Sequence, residues 1–383
     1  MRFFATSIDE QAFYQIDITD GVSRKLEVAG HQYEAGLQHS LDPKHYIFPG
    51  FIDLQVNGYR GVDMSDPKLD AETIDQFCRE MALMGVTGFL PTITTNGQNK
   101  LLCSLKNLAQ LTTQSALFRS MSLGIHLEGP YISPDDGPRG AHPKPFCRPP
   151  EISEFRLLQD AADGQIRILT LSPEYDQAAD FIRQISDKVV VSIGHTAATP
   201  DQIRNAVDAG ASMSTHLGNG MHPNIPRHPN YLWEQLAADE LSGGMIADGV
   251  HLPDAVLKSF VRAKTLDNCF LVSDTTSLSG MPVGLYENSV LGDVEVTDDD
   301  RLVVAGQRIL NAGAYQPLKA AIPIISRAAG LAFSQAVKLA CDNPLAAIHQ
   351  TANPSNYVII SKSMENEIEI KATLINEQMV SIR

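Results

Sequence analysis

The chain of 383 residues has few cysteines, few basic residues and no long hydrophobic run. Its 5 cysteines are odd in number and show no CxxC spacing, which argues against a disulfide framework and a structural zinc site. Lysine and arginine total 30 against 45 acidic residues, and the net charge of −15 argues against nucleic acid or an anionic membrane as partner. An anionic small molecule remains compatible, because one local basic group can act within an acidic protein.

No stretch approaches the roughly 20 consecutive apolar residues that span a membrane. The N-terminal residues lack the apolar segment of a signal peptide, so we expect a cytoplasmic protein. Hydrophobic residues make up 43% of the chain and charged residues 20%, which is typical of a globular enzyme with a large core. One α/β barrel of about 250 residues plus a smaller domain accounts for the length.

From Tyr46 onward, apolar strands alternate with helical patterns, as in parallel βα units. We predict a (β/α)8 TIM-type barrel over residues 47–344, with a small β-sandwich domain built from both termini, residues 1–46 and 345–383. The segment Ser133–Pro150 is predicted to be a long, functional loop over the barrel mouth. The predicted barrel strands are Ile47–Leu54, Val86–Pro91, Ser122–Glu128, Ile166–Leu171, Val189–His195, Ala211–His216, Gly244–Ala247 and Asn268–Asp274.

Four predicted strands end on a residue suited to metal binding or acid–base chemistry. Glu128 and Asp274 end the third and eighth strands, and His195 and His216 end the fifth and sixth. The carboxyl ends of parallel strands share one face of a barrel, where such enzymes carry their active sites. Glu128, His195 and His216 form a three-ligand set for a divalent ion, with one position left for water. Asp274 is placed to take a proton from that water and return it to a leaving group.

These residues also have a simpler interpretation. A histidine at a strand end is commonly a hydrogen-bonded core residue, and Glu128 could cap the loop that follows it. The coincidence of four such residues at one end of the predicted barrel favours the metal site. Two histidines and a carboxylate suit zinc, iron, cobalt or manganese. We expect one divalent ion per subunit, with zinc as the first candidate.

Six short motifs agree in order and spacing with a known family. They are Pro49–Asp53, His126–Pro130, Ser192–Thr196, Thr215–Met221, Ile246–His251 and Leu271–Thr275. Over residues 47–285 they resemble the N-acetylglucosamine-6-phosphate deacetylases of the amidohydrolase superfamily. The resemblance implies a (β/α)8 barrel with a β domain from both termini, and Glu128, His195 and His216 as metal ligands. It also implies hydrolysis of the acetamide of N-acetylglucosamine 6-phosphate, a small-molecule sugar phosphate.

The resemblance further implies the substrate contacts. His142 corresponds to a histidine that meets the acyl carbonyl, where it would stabilise a developing oxyanion. Asn219 and Gly220 follow His216 in the family's motif and are expected near the substrate, and His251 corresponds to a substrate-binding histidine. Arg227 corresponds to an arginine that binds the sugar phosphate from the neighbouring subunit, which implies a homodimer. Without the resemblance, a loop histidine and a solvated charge are the simpler explanations of His142 and Arg227.

The chain also departs from the family pattern. Gln55 and Asn57 stand where many amidohydrolases have a His-x-His pair, and amides are poor zinc ligands, so we expect a single metal. His222 and His228 replace more ordinary loop residues, and Leu310–Ala314 lacks a hydroxyl found in a site-lining segment. These changes leave N-acetylgalactosamine 6-phosphate, another N-acylated sugar phosphate or an unphosphorylated amide as alternative substrates. A non-catalytic sugar-phosphate-binding protein is a further alternative.

Overall fold

A large parallel barrel and a small, mainly antiparallel barrel make up the computed structural model of the chain. The predicted (β/α)8 barrel with a small β domain from both termini is confirmed. Among the residues described, no helix combines the length and apolar character that crossing a bilayer requires. The structure describes residues 2–7, 12–27, 45–289, 292–305, 313–363 and 367–382.

Eight parallel strands form the large barrel in chain order. A parallel bridge between Val56 and Thr275 joins the first strand to the segment after the last, so the sheet nearly closes. Across this seam the backbone N–H of Asp274 donates to the carbonyl of Gln55 at 3.0 Å. The strands are Phe51–Val56, Val86–Thr94, Ile125–Glu128, Ile166–Leu171, Val190–Ile193, Ala211–Ser214, Ser242–Met245 and Cys269–Leu271.

Four of these strands end earlier than the sequence predicts, and three of the four are strands that were predicted to end on a site residue. His195, His216 and Asp274 lie two or three residues beyond the fifth, sixth and eighth strands. All three have positive φ, at 49°, 27° and 54°. Side chains other than glycine adopt this conformation rarely and at a cost in strain, which is found preferentially at functional sites. The first turn of each loop, rather than the strand itself, therefore carries the functional side chain.

Helices follow most of the barrel strands, and their buried faces join one large hydrophobic cluster with the sheet. Asp70 caps the first described helix by accepting a hydrogen bond from the Thr73 N–H. Thr199 and Gln202 form a capping box around Pro200, which occupies the first helical position. The helices are Ala71–Leu83, Gln98–Gln114, Ala116–Met121, Ile152–Ala161, Ala178–Ile185, Pro200–Asp208, Tyr231–Ala237, Asp254–Lys264, Leu318–Ala329, Phe333–Lys338 and Asp342–Ala347, with a 3-10 turn at Lys144–Phe146.

Strands from both termini build the small domain as a single sheet. Its pairs are antiparallel except that the first strand pairs in parallel with the fourth, which closes the sheet into a seven-stranded barrel in place of the expected two-sheet sandwich. The fourth strand also pairs with the first C-terminal strand, so the chain passes into the large barrel at Gly50. The strands are Arg2–Ser7, Phe13–Thr19, Val22–Glu27, His45–Pro49, Tyr357–Lys362, Ile368–Ile375 and Gln378–Ile382.

Two small antiparallel elements, which the sequence analysis did not predict, flank the large barrel. A three-stranded sheet after the eighth strand packs around Val294, Val296 and Leu302. Of the predicted site-lining segment, residues 310–312 lie outside the described residues, whereas Gly313 lines the cavity at the barrel mouth. The strands are Gly284–Ser289, Gly292–Val296 and Leu302–Val304 in this sheet, and Gly58–Tyr59 and Val62–Asp63 in a hairpin after the first barrel strand.

Candidate active site

A cavity of about 410 Å³ opens at the carboxyl ends of the barrel strands. This face is where α/β barrels carry their active sites. The structure brings eight of the nine predicted site residues into its wall, whereas Arg227 is exposed and does not line it. The eight are Glu128, His142, His195, His216, Asn219, Gly220, His251 and Asp274.

The three predicted metal ligands form a compact triangle. Glu128 Oε1 lies 3.2 Å from His195 Nε2 and 3.1 Å from His216 Nε2. The two ring nitrogens are 3.0 Å apart. All three side chains are buried. They lie at or just beyond the ends of three different strands, so the closure of the barrel brings them together.

A hydrogen bond on the outer side of His195 directs a lone pair toward the centre of the triangle. His195 Nδ1 lies 2.7 Å from the carbonyl oxygen of Pro138, so Nδ1 carries the proton and Nε2 presents its lone pair. Burial opposes the ionisation of Glu128, yet the facing His195 and His216 hold the pKa of its carboxyl well below the ordinary value. A carboxylate oxygen and two imidazole nitrogens at this spacing suit a divalent cation, which can pair with all three at once. The residues therefore fit the ion that the sequence predicts.

His142 reaches the same centre from the long loop over the barrel mouth. Its Nε2 lies 3.3 Å from His195 Nε2, and the two rings meet edge to face. The side chain is buried, so the interpretation as an exposed loop histidine is wrong. Burial lowers the pKa of His142 to about 3, and the ring is therefore neutral at pH 7. A neutral imidazole here can donate one hydrogen bond to a developing oxyanion.

Asp274 lies in an environment that opposes its charge. Burial is the main cause that raises its pKa to about 6, and the nearby carboxylate of Glu128 raises it further. His216, His251 and a hydrogen bond from Asn57 act in the opposite direction. The carboxyl therefore titrates close to neutrality, as suits a group that takes up and releases a proton.

Two amide side chains of the first barrel strand and its loop have roles that the sequence reasoning missed. Gln55 Nε2 donates to Glu128 Oε1 at 2.9 Å, and Asn57 Nδ2 donates to Asp274 Oδ1 at 2.7 Å. From the sequence, both residues were predicted only to replace a metal-binding pair. A signal was present, because residues two apart along a strand face the same side. The carboxylates of Glu128 and Asp274 lie on the side of the first strand that Gln55 and Asn57 face.

His251 is oriented by Asp248, another residue that the sequence reasoning did not select. The Asp248 carboxylate lies 2.7 Å from His251 Nδ1 and accepts the backbone N–H groups of Val250 and His251 at 2.9 Å each. Burial raises the pKa of Asp248, but the bonds to His251 outweigh it and the net shift is downward. The ring is thereby fixed with Nε2 left for a ligand. Both residues belong to the motif Ile246–His251, which could have revealed the pair.

The loop after His216 passes close over the predicted ligands. Gly220 has a φ of 57°, and a Cβ added there would lie 2.7 Å from His195 Nδ1. Asn219 Nδ2 is buried and has no hydrogen-bond partner among the described residues. Buried donors are nearly always paired, so this amide is available to a ligand in the cavity.

The sequence of residues 46–348 matches the profile of the amidohydrolase family. The chain belongs to the amidohydrolase family. This amidohydrolase thus has its metal-binding candidates, His142 and Asp274 all within the matched region.

Curated relatives carry closely related names. The amidohydrolase is 35% identical over 244 residues to N-acetylglucosamine-6-phosphate deacetylase of Bacillus subtilis (strain 168), covering 63% of this chain and 61% of the relative. It is 34% identical over 310 residues to the protein of the same name from Bos taurus, covering 78% of this chain and 73% of that relative. N-acetylgalactosamine-6-phosphate deacetylase of Escherichia coli O157:H7 is 32% identical over 277 residues, covering 71% of this chain and 70% of that relative.

Solved structures share the whole architecture of the amidohydrolase. N-acetyl-D-glucosamine-6-phosphate deacetylase from Mycobacterium smegmatis is 25% identical, with a TM-score of 0.84 over 100% of both chains. A variant of that enzyme, solved in complex with N-acetyl-D-glucosamine-6-phosphate, gives a TM-score of 0.82 over 99% of both chains. The resemblance stated from the sequence motifs is confirmed.

Proposed function

We propose that this amidohydrolase hydrolyses the acetamide of N-acetyl-D-glucosamine 6-phosphate, giving D-glucosamine 6-phosphate and acetate. The observation that carries the proposal is one cavity in which the triangle Glu128, His195 and His216 lies beside Asp274, a carboxyl that titrates near neutrality. Amide hydrolysis needs both a Lewis acid and a group that can move a proton. The names of the curated relatives support the identity of the sugar.

Glu128, His195 and His216 would hold one divalent ion in each subunit. Such an ion polarises the amide carbonyl and lowers the pKa of a water that binds to it. Zinc is the first candidate because catalytic zinc sites commonly use two imidazoles and a carboxylate, with iron, cobalt and manganese as alternatives. Gln55 and Asn57 turn N–H groups, not oxygens, toward the neighbouring carboxylates, which supports one ion rather than two.

Asp274 acts as a base and then as an acid in this proposal. It accepts a proton from the attacking water as the new carbon–oxygen bond forms. It returns that proton to the nitrogen as the carbon–nitrogen bond breaks, because an amine leaves poorly unless it is protonated. His142 donates a hydrogen bond to the carbonyl oxygen, where negative charge develops.

The sugar phosphate would lie along the wall formed by Asn219, Gly220 and His251. The unpartnered amide of Asn219 and the ring of His251 offer polar contacts there. Arg227 is exposed and outside the cavity of its own chain, which supports its delivery to a neighbouring subunit. A guanidinium binds phosphate well through its paired N–H groups. We therefore propose a cytoplasmic homodimer with shared active sites.

Release of acetate from N-acetylglucosamine 6-phosphate tests this function. Protein stripped of metal with a chelator should be inactive, and reloading with zinc, iron, cobalt or manganese should restore turnover with at least one of them. N-acetylglucosamine without the phosphate is the matched control, and its kcat/KM should be at least about 100-fold lower. No acetate at millimolar substrate with any of the four metals would refute the proposal.

A second candidate keeps the chemistry and changes the sugar to N-acetylgalactosamine 6-phosphate. The Escherichia coli O157:H7 relative supports it, as do His222 and His228 in the loop near the cavity. His222 Nδ1 lies 3.1 Å from the hydroxyl of Tyr231, so this part of the loop is held in place. The two epimers should be compared by kcat/KM. A preference for the glucosamine epimer above about 100-fold, near 2.7 kcal/mol, would remove this candidate.

A further inference from the structure

Asn57 lines the cavity beside Asp274, directly after the first barrel strand. Its Nδ2 donates a 2.7 Å hydrogen bond to Asp274 Oδ1. Its own Oδ1 is buried and has no hydrogen-bond partner among the described residues. Asp274 is therefore the one hydrogen-bond partner that the described chain gives to the Asn57 side chain. An amide that only filled space or tied two elements together would have its oxygen satisfied as well.

The backbone fixes Asn57 relative to Asp274. The Asn57 N–H donates to the carbonyl of Thr275 at 2.9 Å, and the Asn57 carbonyl accepts the N–H of Met64 at 2.9 Å. The Asp274 N–H donates to the carbonyl of Gln55 at 3.0 Å. The bonds of Asn57 to Thr275 and of Asp274 to Gln55 cross the seam where the first and last barrel strands meet. The distance between the two side chains is therefore set by the closure of the barrel and not by a mobile loop.

We propose that Asn57 is a positioning residue for the hydrolysis, and that it acts by binding Oδ1 of Asp274 so that Oδ2 is the oxygen that exchanges the proton. This inference rests on the proposed function. A hydrogen bond donated to a carboxylate stabilises its ionised form and also restricts its rotation. Both effects serve a base that must be ionised and aimed at the attacking water when the substrate binds.

The charged groups around Asp274 leave a distinct role for a neutral donor. The carboxylate of Glu128 opposes the ionised form of Asp274, whereas His216 and His251 favour it. Asp274 in turn raises the pKa of the neighbouring Asp53. The side chain of Asn57 carries no charge. Its removal therefore leaves the net charge of the site and the predicted metal ligands unchanged, and it isolates the contribution of one hydrogen bond.

Gln55 provides a matched control two residues earlier. Its Nε2 donates to Glu128 Oε1 at 2.9 Å, so the same type of bond holds a predicted metal ligand instead of the base. Gln55→Ala should weaken metal binding. Once the site is saturated with metal, the pH at which activity falls on the acid side should stay at its wild-type value. Asn57→Ala should show the reverse pattern.

The test compares metal-loaded wild type, Asn57→Ala, Asn57→Asp and Gln55→Ala by acetate release over a pH series. Asn57→Ala should lower kcat about 10- to 100-fold, with metal content and KM unchanged. Its acid limb should move to higher pH, because the carboxylate has lost a donor that favours it. Asn57→Asp keeps the size of the side chain but loses the donor. It should lose at least as much activity and shift the limb further. If Asn57→Ala or Asn57→Asp does not fold, Asn57→Ser is used in its place.

Two results would overturn the inference while leaving the proposed function intact. One is an unshifted acid limb in both Asn57 variants of an active enzyme. The other is an Asn57→Asp variant clearly more active than Asn57→Ala, since that order indicates filling of space rather than donation. A wild-type protein that releases no acetate removes the proposed function and this inference together.

Discussion

The two barrels differ in the polarity of their interiors. The small barrel is filled by aliphatic side chains such as Ile16, Ile359 and Leu374. The large barrel has a similar aliphatic cluster, but toward its mouth the interior becomes polar. There His126 Nε2 lies 2.7 Å from Thr170 Oγ1. The predicted ligand triangle and Asp274 lie at the mouth itself.

The difference follows from strand direction. In a parallel barrel all eight carboxyl ends meet at one rim, so eight loops can each supply a side chain to one cavity. An antiparallel barrel divides its loops between two rims, so its loops do not all face one cavity. The small barrel is instead joined to the large one through hydrogen bonds such as Thr373 Oγ1 to the carbonyl of Ala82 at 2.6 Å. The comparison predicts that changes in the two interiors have separable effects.

The largest effect on turnover should come from Asp274→Asn at the polar mouth. We expect kcat to fall by about 10²- to 10⁴-fold, because the variant can no longer accept the proton from water. Metal content and melting temperature should remain close to wild type. Asp267→Asn is the control, because that carboxylate is exposed and pairs with Lys338 at the surface. Near-full activity in Asp274→Asn would assign the proton transfer to another group.

In the small barrel, Ile359→Ala should lower stability and leave the chemistry unchanged. Ile359 is fully buried, and truncation of such a side chain costs about 2–5 kcal/mol of unfolding free energy. Leu26→Ala in the same sheet is the control, because Leu26 is 41% exposed. Denaturant unfolding gives the first quantity, and kcat of the folded fraction gives the second. A fall in kcat that matches the loss of stability would contradict the separation of the two barrels.

Arg227→Ala tests whether a neighbouring subunit supplies an arginine to the active site at the mouth of the large barrel. We expect KM to rise about 10- to 100-fold through the lost phosphate contact, with a smaller effect on kcat. Mixing this variant with Asp274→Asn should restore activity to about one quarter of wild type, since half of randomly paired dimers contain one intact site. If the subunits exchange and activity does not return, Arg227 acts within its own chain or not on the substrate.

The smallest effect concerns a carboxyl buried below the mouth. Burial raises the pKa of Asp53 to about 7, although hydrogen bonds from Ser273 and Gln55 oppose the shift. The folded protein therefore binds a proton that the unfolded chain releases, and stability falls as pH rises from about 4 to about 7. The Asp53→Asn variant has no carboxyl at this position and should not lose stability in this way as pH rises. Its unfolding free energy relative to wild type should rise by roughly 1–3 kcal/mol between about pH 4.5 and pH 8. If denaturant titrations give the same difference in unfolding free energy between Asp53→Asn and wild type at both pH values, Asp53 does not have a raised pKa in the folded protein.

The sequence predicts the residues that converge but not the residues that orient them. Glu128, His195 and His216 were accessible because apolar strands point to a parallel barrel, and the barrel places all strand ends on one face. The two-residue spacing places Gln55 and Asn57 on one side of the first strand, but their partners could not be assigned. A hydrogen bond depends on side-chain direction across two strands that are far apart in sequence. The same argument covers the small domain. Its closure depends on one parallel pairing that no local pattern specifies.

The pairings with the C-terminal strands link the folding of the small barrel to the completion of the whole chain. The strand His45–Pro49 finds one neighbour in Arg2–Ser7 and the other in Tyr357–Lys362. During synthesis, the four N-terminal strands emerge long before the three that close their sheet. A growing chain therefore carries an unpaired strand edge while the large barrel is made. Edges of this kind promote association between chains. Deletion of Gln378–Ile382 would leave the edge strand Val22–Glu27 permanently unpaired on one side, and aggregation during expression is the expected phenotype.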